Sequence, residues 1–255
     1  MAILTAFHTD VGIKKKTNQD GLLLKTARTP KGQVGLFVVC DGMGGLAQGE
    51  LASATVIRGM ADWFDSEMPN IAQSEHMEED IRRELEACIQ QLNEKILGYG
   101  ESEKVTLGTT VTALLMVHDK YYIVHIGDSR VYHISSTLTQ LTTDQTLVAR
   151  EVARGNLTEE QAKSDPRRNV LLQCVGATKN IEIAFSSGEL KENTVFMLCS
   201  DGFYHQISEE ELAESFHPAK LIDEVQMKEK VIELVELVKA RKEVDNITVV
   251  AAKVV

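Results

Sequence analysis

Five short apolar runs, each shorter than an ordinary helix, most constrain what this chain of 255 residues can fold into. They occupy residues 34–39 (VGLFVV), 111–117 (VTALLMV), 121–126 (YYIVHI), 194–198 (TVFML) and 247–255 (ITVVAAKVV). Short length and β-branched content mark them as buried strands. His118-Asp119-Lys120 separates the second run from the third, which predicts a hairpin and antiparallel pairing. Helical periodicity covers residues 50–67, 77–97 and 225–240. In the second of these, Met77, Ile81, Leu85, Cys88, Leu92 and Ile96 recur every three or four positions. All three stripes read as core-packing faces. Strands therefore come in clusters separated by helices instead of alternating with them. That order favours an α+β fold with antiparallel sheets over a doubly wound parallel one.

With four prolines and no Gly/Ser-rich linker, charge run or repeat, residues 1–255 read as a single domain with local insertions. A net charge of −11 argues against a nucleic-acid or anionic-membrane partner. It also means that a phosphate ester would need local positive charge, from metal ions or a few placed Lys and Arg. Cys40, Cys88, Cys174 and Cys199 form no CxxC pair and read as buried reduced thiols. The start MAILTAFHTD has no basic segment followed by an apolar core, and no apolar stretch reaches about 20 residues. A cytoplasmic location is expected.

The chemistry-bearing signal is a repeated local design. Apolar runs stop at Asp41-Gly42 (VVCDGMGG) and Asp201-Gly202 (MLCSDGF), and a third ends in HIGDSR, placing Asp128 just beyond Ile126. Asp245-Asn246 immediately precedes the last run, and Asp20-Gly21 precedes Leu22, Leu23 and Leu24. A single Asp-Gly step is most often a turn. Five aspartates at strand ends suggest more, because clustered carboxylates repel one another unless cations intervene. Hard divalent ions such as Mg²⁺ and Mn²⁺ prefer oxygen ligands and keep waters in their remaining positions.

At these residues the sequence resembles the metal-dependent protein phosphatase family, the protein phosphatase 2C type, in its bacterial form. The resemblance runs through TDVGIKKKTNQD, VVCDGMGGLAQGELAS, LGTTVTAL, VHIGDSRVY, LTQLTTDQTLVAREVARGNLTEEQA, LCSDGF and DNITVV, in the family's order. It implies a four-layer αββα sandwich of two antiparallel sheets flanked by helices. It implies Asp41 bridging two Mn²⁺ or Mg²⁺ ions about 3.5–4 Å apart. Gly42 would contribute its carbonyl to one ion, and Asp201 and Asp245 would complete the other. Asp20 would act through a bound water with Asn246 behind it, and Asp128 would belong to a third metal site. The reaction implied is hydrolysis of phosphoserine and phosphothreonine in proteins by a metal-bridging hydroxide, without a phosphoenzyme, reversing a cognate Ser/Thr kinase. A monomer is expected.

Two departures from the family pattern stand out. The family's phosphate-gripping Arg is replaced by Lys15, a point charge in place of a planar fork. Met43 stands where animal members carry His, so His205 becomes a candidate proton donor. Residues 144–176 match the family's flap, with a helical pattern over residues 146–154 and a basic Pro166-Arg167-Arg168. A non-catalytic binding domain, or an enzyme acting on a small phosphoester or a partner-switching regulator, remains an alternative at this level.

Overall fold

The computed structural model describes residues 2–44 and 48–255; residues 45–47, inside the glycine-rich segment after Asp41, lie outside the described residues. The first part of the chain forms β1 (Ile3–Asp10), β2 (Gly21–Thr29), β3 (Gly32–Cys40) and β4 (Gly42–Gly44). Helices α1 (Gln48–Ile71) and α2 (Met77–Glu103) follow. Next come β5 (Leu107–Thr109), β6 (Val111–Val117), β7 (Lys120–Ile126), β8 (Arg130–Ile134) and β9 (Leu138–Gln140). Short helices α3 (Leu147–Ala153) and α4 (Glu159–Ser164) precede β10 (Ala184–Glu189) and β11 (Thr194–Cys199). The chain closes with α5 (Asp201–Tyr204), α6 (Glu209–Ser215), α7 (Glu224–Ala240) and β12 (Ile247–Val254).

Period-two alternation along the buried strands decides the layering. In β3, Val34, Leu36, Val38 and Cys40 face α1 and α2, where Val56, Met60, Phe64, Ile81 and Leu85 complete one core. Phe37 and Val39, on the opposite face, meet Leu114, Phe196, Leu198, Val250 and Ala252 in a second core between two sheets. Val195, Met197, Cys199, Val249 and Ala251 build the third core against Leu212 of α6 and Val231, Leu234 and Val238 of α7. The sheets run β1-β12-β11-β8-β9 and β10-β7-β6-β3-β2, with β4-β5 as a small pair. Every pairing between these strands is antiparallel. The architecture is a four-layer αββα sandwich, as the sequence leads one to expect.

The strands that carry no apolar run are informative. β1, β9, β10 and β2 are the four sheet edges. Partly exposed residues suffice there, so their sequences (ILTAFHTD, LTQ, AFSSGE, GLLLKTART) lack the signature of a buried strand. One expectation needs correction. All four cysteines are free, but only Cys40 and Cys199 are buried, while Cys88 and Cys174 are partly exposed. No helix among the described residues is long and apolar enough to cross a membrane.

Candidate active site

Strand register brings distant carboxylates to one end of the sandwich. Gly21 pairs with Cys40, so Asp20 and Asp41 lie side by side on adjacent strands of one sheet. In the other sheet, Cys199 pairs with Val249 on one side and with Arg130 on the other. Asp201, just past Cys199, is thereby flanked by the turn carrying Asp245 and the turn carrying Asp128. All five predicted aspartates meet here.

Backbone and hydroxyl groups fix the set. Ser200 Oγ donates to Asp20 Oδ2 at 2.9 Å and accepts the Thr248 N–H at 3.0 Å, tying the two sheets together beneath the site. The Asp41 N–H donates to Thr110 Oγ1 at 2.8 Å, and its carbonyl accepts Thr109 Oγ1 at 3.0 Å. Buried Glu243, 5 % exposed, accepts the N–H groups of Val244 at 2.7 Å and Asp245 at 3.0 Å, bending the turn that presents Asp245. Gly42 is required sterically, because a Cβ there would sit 2.4 Å from the carbonyl oxygens of Gln19 and Gly49.

The electrostatics of this ring are adverse. Burial, with the Asp201 and Asp245 charges added, pushes Asp20 up to about 7 against the stabilising Thr248 and Ser200 hydroxyls. Asp41 is raised well above the carboxylate range by burial and then by Asp20, Asp201, Asp128 and Asp245. Burial followed by Asp201 and Asp144 raises Asp128, with Arg130 opposing. Burial also raises Asp201, with His205 opposing and Asp245 reinforcing. Asp20 Oδ1 and Asp201 Oδ1 are buried without a hydrogen-bond partner. Natural proteins rarely leave such atoms unsatisfied unless a ligand completes them.

A hard dication fits this donor set, since it would satisfy both orphaned oxygens and reverse the sign of the repulsion. Among the described residues, no three His, Cys, Asp or Glu side chains already close around one point as a cage. The oxygen-only donors of the ring are the kind that Mg²⁺ and Mn²⁺ prefer, and such ions take one or two carboxylates each and retain water.

Other predicted residues also converge. Lys15 Nζ lies 2.7 Å from Asp245 Oδ1, with the Lys15 side chain 42 % exposed. Its pKa is raised: burial works against this, but the hydrogen bond to Asp245 and the charges of Asp245, Asp41 and Asp201 prevail. Asn246 holds the loop that carries Lys15 through its side chain, and its N–H donates to Asp245 Oδ1 at 2.8 Å. It accepts the Gln19 N–H at 2.9 Å and donates to the carbonyls of Val11 and Thr17 at 2.9 and 3.1 Å. His205 Nδ1 stands 3.8 Å from Asp201 Oδ2. Sequence reasoning missed Ser200, Thr109, Thr110 and Glu243. Thr109 and Thr110 lie in the LGTT segment, but an isolated hydroxyl or Glu carries no spacing signal of its own.

Comparison with known proteins follows the same lines. Residues 12–239 match the protein phosphatase 2C family. The serine/threonine phosphatase stp of Listeria welshimeri is 31 % identical over 223 residues, covering 86 % of this chain and 84 % of that protein. The S. agalactiae serine/threonine phosphatase structure covers 100 % of both chains at 31 % identity and a TM-score of 0.85. The catalytic domain of the phosphatase PstP, solved with two manganese ions, is 30 % identical, with a TM-score of 0.82 and coverage of 99 % of this chain and 98 % of that one. The chain belongs to the protein phosphatase 2C family in its bacterial form and is a protein serine/threonine phosphatase.

Proposed function

We propose that residues 1–255 form one catalytic domain that hydrolyses phosphoserine and phosphothreonine in proteins, using two Mn²⁺ or Mg²⁺ ions and a third near Asp128. Asp41, the Gly42 carbonyl, Asp201 and Asp245 would hold the principal pair, with Asp20 acting through water and Asp128 joining Asp201 for the third. The chemistry that bound dications supply is acidification of water toward a hydroxide nucleophile and neutralisation of phosphoryl charge. The observation that carries this reading is the buried carboxylate ring with two orphaned oxygens, Asp20 Oδ1 and Asp201 Oδ1.

Within that frame, Ser200 fixes the rotamer of Asp20, and Glu243 sets the turn of Asp245. Lys15 supplies the cation nearest the ring and would meet a phosphate as a point charge. Among the described residues, Cys40, Cys199 and Ser129 beside the ring are ill suited to covalent catalysis. Burial pushes the Cys199 thiol up to about 12 and Cys40 higher still. Ser129 is fully buried and shares its hydroxyl with Thr110 at 3.0 Å, with no base beside it. These side chains accord with direct attack of water on phosphorus without a phosphoenzyme, the course that the resemblance implies.

Residues 144–176 would serve as a flap over the substrate. Their ends are stitched to the frame: the Gln145 N–H donates to the Gly127 carbonyl at 2.7 Å, and the Val175 N–H donates to the Thr109 carbonyl at 2.9 Å. In the cell the enzyme would act as a cytoplasmic monomer opposing a Ser/Thr kinase. Hydrolysis of a phosphothreonine peptide and of an aryl phosphate should require Mn²⁺ or Mg²⁺ and stop with chelator. Rates indifferent to chelation would end this reading.

A further inference from the structure

The rim beside the carboxylate ring carries a surface that none of the chemistry above uses. Val11, Ile13 and Val244 are 36, 49 and 44 % exposed, large apolar side chains open to solvent. The loop that carries the first two meets the turn that carries Val244, although more than two hundred positions separate them. Gly12, at φ +76°, approaches the turn so closely that a Cβ on it would lie 2.1 Å from the Asp245 carbonyl oxygen. Asn246 Nδ2 also donates to the Val11 carbonyl at 2.9 Å. The loop bearing Val11 and Ile13 therefore lies against the turn bearing Val244.

Lys14, Lys16 and Lys242 border this apolar group and are exposed. Nearby Lys15, Lys239 and Arg241 each have a carboxylate partner. Among the described residues, Lys14, Lys16 and Lys242 have none within ion-pair distance. Single exposed apolar residues are ordinary on a protein surface. Three on one loop and the turn it meets, with three unpaired lysines on the same segments, stand out on a chain of net charge −11.

We propose that this rim docks the stretch of the phosphoprotein adjoining its phosphorylated residue, with Ile13 and Val244 receiving an apolar side chain and Lys14, Lys16 and Lys242 receiving acidic ones. The proposal rests on the phosphatase reading of the carboxylate ring. Continuity argues for the occupant: Lys15 and Asp245 belong to the same loop and turn, so this surface adjoins the place where a substrate phosphate would sit. Charge complementarity fixes its sign. The rim selects among substrates and takes no part in the bond cleavage.

The test uses the full chain with Mn²⁺, p-nitrophenyl phosphate and three phosphothreonine peptides that differ only in flanking residues: Leu with Glu, Ser alone, or Lys. The Leu/Glu peptide should show a KM about tenfold below the Ser peptide, the size expected of one small apolar contact plus rim charge, and salt should narrow the gap. The pair Ile13→Ser with Val244→Ser, and separately Lys14→Glu with Lys242→Glu, should each erase about fivefold or more of that preference. The kcat on every substrate and the kcat/KM on the aryl phosphate should stay put, and Ile13→Leu should retain the preference. Equal losses on all four substrates, or an undiminished preference in both paired variants, would overturn the proposal. Peptide binding by fluorescence anisotropy separates it from the reading beneath it. Preference in binding without turnover in Mn²⁺ sinks the phosphatase reading alone, and turnover without preference sinks the docking surface alone.

Discussion

Asp41 illustrates how the site trades stability for chemistry. Its backbone is held from both sides by Thr109 and Thr110, while its carboxylate faces four others. Asp41→Asn removes one buried like charge and leaves those backbone bonds intact. Turnover should fall by more than about a hundredfold, beyond what losing a supporting contact costs. The chelated protein should nevertheless melt at least about 2 °C higher, the shift that roughly 1 kcal/mol produces in a chain of this size. A lower melting point in chelator would mean that the ring is not repulsive. Lys15 makes a second residue-scale case. Lys15→Ala should raise KM for an aryl phosphate about tenfold with little change in kcat, and Lys15→Arg should recover it, as expected for charge that positions the phosphate. Steady-state kinetics on the three proteins decides this.

Among the elements, the junction between β8 and the segment 144–176 holds a densely bonded, largely buried polar network. Arg130 reaches Asp144 through Nε at 3.0 Å and Nη2 at 2.7 Å, and donates from Nη1 to the Tyr132 hydroxyl at 2.9 Å. Its guanidinium lies 3.7 Å over the Tyr204 ring, and the Tyr204 hydroxyl donates to the Asp128 carbonyl at 3.1 Å. This one side chain therefore links the base of the proposed flap to both Asp128 and the short helix that begins at Asp201. Arg130→Ala strands a largely buried carboxylate and should cost about 3–5 kcal/mol in denaturant unfolding. A change below about 1 kcal/mol would show the pair to be peripheral. Within the proposed flap, the basic Arg167 and Arg168 are exposed and make local contacts. Arg167 closes on Asp165 through Nε and Nη2 at 3.0 and 2.8 Å, while Arg168 Nη1 donates to the Lys163 carbonyl at 3.2 Å.

Over the whole molecule, the carboxylate ring makes stability depend on pH and on cations together. In the chelated protein, the pKa of Asp20 rises from 3.8 to about 7 on folding. A raised folded-state value favours the native state below the unfolded value, and that advantage disappears as pH climbs through the folded one. Asp41 and Asp128 act in the same direction. The chelated protein should therefore melt higher at pH 5 than at pH 8, while saturating Mn²⁺ should shrink or reverse that order. Mn²⁺ must also displace protons, so its affinity should rise with pH through about 7, with proton release visible by calorimetry in two buffers of different ionisation enthalpy. PH-independent melting in chelator would contradict the ring's electrostatics. At a hundred times its dissociation constant, a bound ion adds about 2.7 kcal/mol, so chelation at pH 8 should lower the melting temperature by roughly 5–10 °C.

Legibility followed burial. β3, β6, β7, β11 and β12 lie inside their sheets, must be apolar on both faces, and announce themselves as short runs. Internal β8 (RVYHI) is too short and polar to do so, and the edge strands, open to water on one side, carry no such run. The amphipathic stripes of α1, α2 and α7 were legible for the same reason, because each buries one face against a sheet. The sequence by itself determined the layer composition, the Asp-Gly strand ends and the family. It could not bring Asp20, Asp41, Asp128, Asp201 and Asp245 together, because convergence depends on strand register, which long-range pairing sets: Gly21 against Cys40, and Cys199 between Val249 and Arg130. Nor could it single out Ser200, Glu243 or the Val11–Val244 rim. Ser200 and the rim act through proximity across about two hundred positions, which only the packed sandwich creates, and Glu243 braces its own turn without a spacing that marks it.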